Sequence, residues 1–150
     1  MIIRELKPVE KLPLSLLLEA DPSEEMIRSY AAEGDVFIAE KNSCVAGVCV
    51  LLPLTDETVE IKNIAVAEPA RGKGVAKALI SHAVTIAGQC GFSIVEIGTG
   101  NSSLDQLALY QKCGFRMKSI DRDFFVRNYP EPIIENGIQC RDMVRLELTL

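Results

Sequence analysis

The chain has one histidine, His82, expected on the surface of its helix, and five cysteines with no C-x-x-C spacing among them. Structural zinc needs a close set of N and S ligands, so no metal site is expected. Cys44, Cys49, Cys90, Cys113 and Cys140 form an odd, scattered set in apolar surroundings. They read as free, mostly buried thiols in a reducing compartment, which makes the cytoplasm the expected location. Leu16-Leu17-Leu18 is too short for a secretory signal, and no run approaches a membrane span. Basic residues are not in excess: 16 Lys and Arg stand against 21 Asp and Glu, for a net charge of −5. A general nucleic-acid binder normally shows the opposite balance. A negative surface is compatible with a cationic substrate such as an amine. There are no repeats and no low-complexity linker.

With 150 residues, 48% of them apolar, the chain has the size of one domain, 1–150, with material for a layered core. Met1 to Leu6 reads as a first strand, stopped by Pro8. Two short helices follow, Pro13 to Glu19 and a second opened by Asp21-Pro22-Ser23-Glu24-Glu25 and stopped by Gly34. Val36 to Lys41 and Cys44 to Leu52 read as strands joined by a tight Asn42-Ser43 turn. The second of these is almost wholly apolar, as a central strand should be, and Gly47 inside it marks a bulge or close packing. Thr58 to Val66 is a fourth strand. A helix from Gly72 to Cys90 ends at Gly91. Ser93 to Thr99 is a fifth strand, and Ser103 with Gln106 has capping-box spacing at the next helix, which ends at Gly114. Phe115 to Val126 holds a sixth strand, interrupted at Asp121-Arg122-Asp123; Asn128 to Gly137 is a long loop and Met143 to Leu150 the last strand. The fold expected is α/β, a mixed sheet of about seven strands flanked by helices.

The chemistry concentrates at Ile64 to Ile80. A strand ends at Val66, Pro69 closes a turn, and Arg71-Gly72-Lys73-Gly74 opens a helix. The first N–H groups of a helix have no intrahelical partner and the dipole there is positive. Glycines let a ligand approach the backbone, and Arg71 and Lys73 add charge, so this junction suits a phosphate. The Walker pattern fails because Gly74 and Val75 follow Lys73. The dinucleotide fingerprint fails for want of a third glycine.

What fits is R-x-x-G-x-A, at Arg71, Gly74 and Ala76. It resembles the acyl-CoA pyrophosphate loop of the GNAT superfamily of N-acetyltransferases. A second stretch, Asn101 through Leu109-Tyr110-Gln111-Lys112-Cys113-Gly114-Phe115, resembles that family's second motif, and the order of elements matches its fold. The resemblance therefore spans nearly the whole chain. It implies that residues Arg71, Gly72, Lys73, Gly74, Val75 and Ala76 cradle the diphosphate of acetyl-CoA. It implies that Ile64, Ala65 and Val66 run beside the pantetheine arm like an added strand, with the Val66 N–H facing the thioester oxygen. A splay between the fourth and fifth strands would open that slot, and Gly98 and Gly100 are consistent with one. Asn101 either bonds the pantetheine arm or caps the following helix.

Transfer from a thioester to an amine releases a thiolate, and Tyr110 is the candidate acid for it, or else a core tyrosine. Glu60 is the candidate base, or else an ion-pair partner of Lys62; Glu96 is the reserve. Strict alternation would put Glu60, Lys62, Ile64 and Val66 on one face of the fourth strand. No nucleophile with a partner base is visible, so direct attack in a ternary complex is expected. The acceptor expected is a primary amine on a small molecule; a protein N-terminus or lysine, or a non-catalytic acyl-CoA sensor, are the alternatives. Phe124, Phe125 and Tyr129 either line an acceptor pocket or pack the last hairpin. Exposed last-strand edges often pair in such proteins, which makes a homodimer one possible assembly.

Overall fold

A computed structural model describes residues 1–150. The strands are β1 (Ile2–Glu5), β2 (Asp35–Lys41), β3 (Cys44–Pro53), β4 (Thr58–Val66), β5 (Ile94–Gly100), β6 (Arg116–Asp121), β7 (Ile133–Glu135), β8 (Ile138–Cys140) and β9 (Met143–Thr149). The helices are α1 (Leu14–Ala20), α2 (Glu24–Glu33), α3 (Val75–Gln89), α4 (Leu104–Lys112) and the short α5 (Phe124–Asn128). Seven strands form one mixed sheet in the order β1-β2-β3-β4-β5-β9-β6. Only β4 and β5 run parallel, and α3 makes the crossover between them, as a parallel pair requires. The last strand is not an edge: β9 lies between β5 and β6, so its pairing groups are used inside the sheet.

Alternation sorts the core into two layers. Val36, Ile38, Val48 and Val50 pack with Leu16 and Leu17 of α1 and Ile27 and Tyr30 of α2. Phe37, Ala39, Cys49 and Leu51 pack on the other face with α3 and with Tyr110 of α4. Because both faces are covered, β3 reads as a continuous apolar run. A Cβ at Gly47 would come within 2.9 Å of Val75 and Leu79, so the missing side chain lets the first turns of α3 seat on β3. That contact sets the height of the α3 N-terminus beside the end of β4.

Three expectations change in detail. The sixth strand ends at the interruption expected at Asp121, but the residues after it form α5 and not more strand, because Asp123 turns to φ +62°. The stretch read as one long loop contains the β7–β8 hairpin, turned at Asn136-Gly137 with φ of 55° and 72°. Those signs match the turn that Asn-Gly favours. His82 is half-buried rather than surface, its ring 5.1 Å edge-on from Phe37.

Candidate active site

Between Ile61/Ile97 and the strand ends, β4 and β5 are unpaired, although both continue. Their ladder stops there and leaves a gap. The register against β3 also slips, from Val50↔Asn63 to Leu51↔Ile61, so Lys62 is the extra residue of a bulge. Strict alternation therefore fails on this strand. Ile61 and Ile64 belong to the α3 layer, while Lys62 and Asn63 both reach Tyr30 on the α2 side. Beyond the bulge the ladder is regular. The Ala67 N–H bonds the Ala46 carbonyl, so by alternation Ile64 and Val66 aim their main-chain groups away from β3 and into the gap. Ala65 turns its main chain to β3.

A single 3₁₀ turn, Glu68–Ala70, links β4 to the loop before α3. Gly72 and Gly74 have φ of +74° and +80°, the left-handed region where a Cβ is penalised. They fold the chain so that the α3 N-terminus opens outward. The Arg71 amide is used in the 3₁₀ turn, bonding the Glu68 carbonyl at 3.2 Å. The amides of residues 72 to 77 donate to no protein atom. The free set thus runs one residue further along than the motif suggested, and includes Lys77.

All of these residues except Lys73 border a cleft of about 650 Å³. Its walls include Ile64, Ala65, Val66, Arg71, Gly72, Gly74, Val75, Ala76 and Tyr110, all anticipated from the sequence. Lys73 is not in the wall. Lys77, Gln106 and Leu109 are, and helical spacing could have found the last two, since Gln106 lies one turn from Tyr110. Arg71 stands at the mouth, its Nη2 2.7 Å from Glu19 and its Nε 3.2 Å from the Val66 carbonyl. A second cavity of about 480 Å³ lies beyond. The two share Glu19, Ala20, Ile64, Gln106 and Tyr110. Phe124, Phe125 and Tyr129 line the second cavity, with Phe125 and Tyr129 stacked at 5.8 Å.

Tyr110 is 4% exposed, and its hydroxyl bonds no protein group yet is not sealed from the cavities. Burial raises its pKa well above the usual phenol range, with Cys49 and Cys113 adding to the rise. It is a protonated phenol at a junction, and such a group can give up a proton to a developing anion. Burial pushes the Cys49 thiol up to about 12 and raises Cys113 and Cys140 as well. None of these thiols is poised as a thiolate nucleophile.

Two sequence candidates are not brought to the junction. Asn101 spends its side chain on the segment before β9: Oδ1 accepts from the Arg141 and Asp142 amides at 2.8 and 3.0 Å, and Nδ2 donates to the Gln139 carbonyl. It neither borders the cleft nor caps α4. The N-cap is Ser103, whose hydroxyl donates to Glu135 at 3.1 Å instead of forming the capping box. Glu60 sits in the closed part of the β4–β5 ladder, opposite Glu96, and borders neither cavity. Its carboxylate lies 4.0 Å from Lys62 and 3.6 Å from Arg145. Glu96 pairs with Lys118.

Burial is the main cause that lifts the Glu60 carboxyl above its ordinary 4.5; Lys62 and Arg145 oppose it only in part, and Glu96 adds to it. A carboxyl with a raised folded-state pKa holds its proton more readily when folded. Stability therefore falls as pH rises from the unfolded value through the folded one, and the cost persists above it. Glu60→Gln is expected to raise Tm by a few degrees at neutral pH, with the gain shrinking toward acid. Thermal melts across that range check it; a variant less stable at neutral pH would show the ion pairs dominating.

The acetyltransferase (GNAT) family model matches residues 5–115. The uncharacterized N-acetyltransferase YvbK of Bacillus subtilis (strain 168) is 54% identical over 135 residues, 90% of this chain and 87% of its own. A GNAT family acetyltransferase from Elizabethkingia anophelis, solved with acetyl-CoA bound, has a TM-score of 0.97 at 45% identity, over 99% of this chain and 97% of its own. The IAA acetyltransferase from Bacillus cereus ATCC 14579 has a TM-score of 0.95 at 54% identity, over 99% of both chains.

Proposed function

Because the chain belongs to the GNAT family and is an acetyl-CoA-dependent N-acetyltransferase, we propose that it acetylates a primary amine on a small molecule by direct attack in a ternary complex. The observation that carries this reading is the junction of two cavities at Tyr110, one bordered by unused amides and the other by aromatic rings. The free amides of residues 72 to 77 hold the diphosphate of acetyl-CoA, as helix N-termini hold anions. The pantetheine arm lies in the gap, bonded by the main chain of Ile64 and Val66. The Val66 N–H faces the thioester oxygen and stabilises charge as the tetrahedral intermediate forms.

The amine enters from the second cavity and attacks as the neutral base, its proton passing to water there. Collapse of the intermediate breaks the C–S bond, the Tyr110 hydroxyl protonates the departing sulfur, and the proton the nitrogen loses on becoming the amide restores the phenol through water. The raised thiol pKa values support direct attack over a cysteine acetyl-enzyme. Thiol release from acetyl-CoA over a panel of small amines, with IAA and a lysine peptide included, tests the reading. Turnover confined to the peptide would overturn it. Arg71→Ala is expected to raise the KM for acetyl-CoA about tenfold, with the amine KM little changed, since one charge-assisted contact is lost. An unchanged acetyl-CoA KM would count against the diphosphate site.

A further inference from the structure

Arg71 and its partner Glu19 both border the cleft, from different elements. Glu19 belongs to the last turn of α1, while Arg71 precedes α3. The contact between them joins residues 52 positions apart and ties those two elements together at the cleft mouth. The other arm of the guanidinium, Nε, donates to the Val66 carbonyl at 3.2 Å. That carbonyl is the last on β4, and alternation aims it into the gap between β4 and β5. A pantetheine arm lying beside Ile64 and Val66 carries two secondary amides, and each needs an acceptor as it leaves water. The guanidinium and the arm therefore compete for the side of the Val66 carbonyl that faces the gap.

The main chain of Arg71 is anchored apart from this. Its amide bonds the Glu68 carbonyl, and its φ of −67° and ψ of 151° are ordinary extended values. Clearing the gap thus takes a change of side-chain rotamer and leaves the loop in place. The grip of Glu19 is also light. The two side chains are 54% and 47% exposed, and ion pairs this open to water hold weakly. A diphosphate on the free amides of residues 72 to 77 offers the same guanidinium more negative charge and the forked bonds that Arg forms with phosphate. Of the two partners, the diphosphate is the stronger.

We propose that Arg71 is a latch on the pantetheine slot. Held by Glu19, it covers the Val66 carbonyl; it exchanges both contacts for the diphosphate, so the nucleotide end of acetyl-CoA clears the slot that the thioester arm fills. A pantetheine thioester without the nucleotide meets the latch closed and has nothing to open it. Arg71 thereby selects acyl-CoA over shorter acyl-pantetheine donors. The proposal rests on the diphosphate site above and gives Arg71 a second role there.

The test titrates CoA and pantetheine separately into the full chain, following the Ile64 and Val66 amide resonances, in wild type, Arg71→Ala and Glu19→Ala. Arg71→Ala is expected to move the two affinities in opposite directions. CoA binds about tenfold more weakly, for want of the diphosphate contact, and pantetheine about fivefold more tightly, for want of the cover. Glu19→Ala is expected to tighten both ligands by a similar factor, about threefold to fivefold. A gain confined to CoA in Glu19→Ala would mean that the carboxylate acts only by repelling the diphosphate, and it overturns the latch. Unchanged or weaker pantetheine binding in Arg71→Ala also overturns it, while weaker CoA binding in that variant leaves the diphosphate site standing. CoA affinity equal to wild type in Arg71→Ala overturns both.

Discussion

Tyr110→Phe is expected to lower kcat about a hundredfold, the usual scale for losing a placed general acid, with little change in acetyl-CoA affinity. The separation of the two effects follows from the surroundings of the ring. The side chain is almost wholly buried and packs in the core beneath the cleft, and Phe fills the same space. The hydroxyl makes no protein hydrogen bond, so removing it leaves no partner stranded. What disappears is a proton at the junction of the cavities. Because burial holds the phenol protonated well above neutrality, the wild-type rate should show no loss of this acid between pH 6 and about 9. Steady-state kinetics with CoA titration on the same variant check both halves. An unchanged kcat would move the leaving-group proton elsewhere.

Gly74→Val is expected to raise the acetyl-CoA KM at least about thirtyfold, roughly 2 kcal/mol of binding. No protein atom lies within 4 Å of a Cβ built at Gly74 or Gly72. A new side chain would therefore meet open cleft and not a wall, and the fold itself has room for it. The damage comes from two other sources. A β-branched residue at φ +80° is strained, and relief of the strain turns the following amides away from their common direction. The added methyl groups also stand where the diphosphate must approach. Thermal melts should show a modest loss beside the large kinetic one. A KM close to wild type would mean that the loop geometry is incidental.

Why the phosphate loop and the layers were legible, and the acceptor side was not, follows from range. Strand–turn–helix junctions are local: Pro69, Gly72, Gly74 and the α3 stripe are neighbours in sequence, and the backbone physics acts over a few residues. The bulge at Lys62 is not local. It exists because β3 and β4 cannot keep one register along their whole length, and it turns Asn63 onto the Tyr30 side. Asn101 misled for a related reason. An asparagine before a helix is a natural cap, but the segment 139–142, some forty residues later, claims its amide instead. The Asn136-Gly137 hairpin carried a local signal, and it brings Glu135 onto Ser103. Nothing in the sequence places Asp21 against Tyr129, 108 residues away.

The claim beneath all of this is that the unused amides at the start of α3 are a diphosphate receptor. Amide-resolved NMR during a CoA titration observes them directly, with pantetheine, which lacks the diphosphate, as the matched ligand. The Gly72 and Gly74 resonances should move with CoA and stay near their free positions with pantetheine, while Ile64 and Val66 respond to both. If Gly72 and Gly74 do not move when CoA binds, the diphosphate lies elsewhere and the account fails.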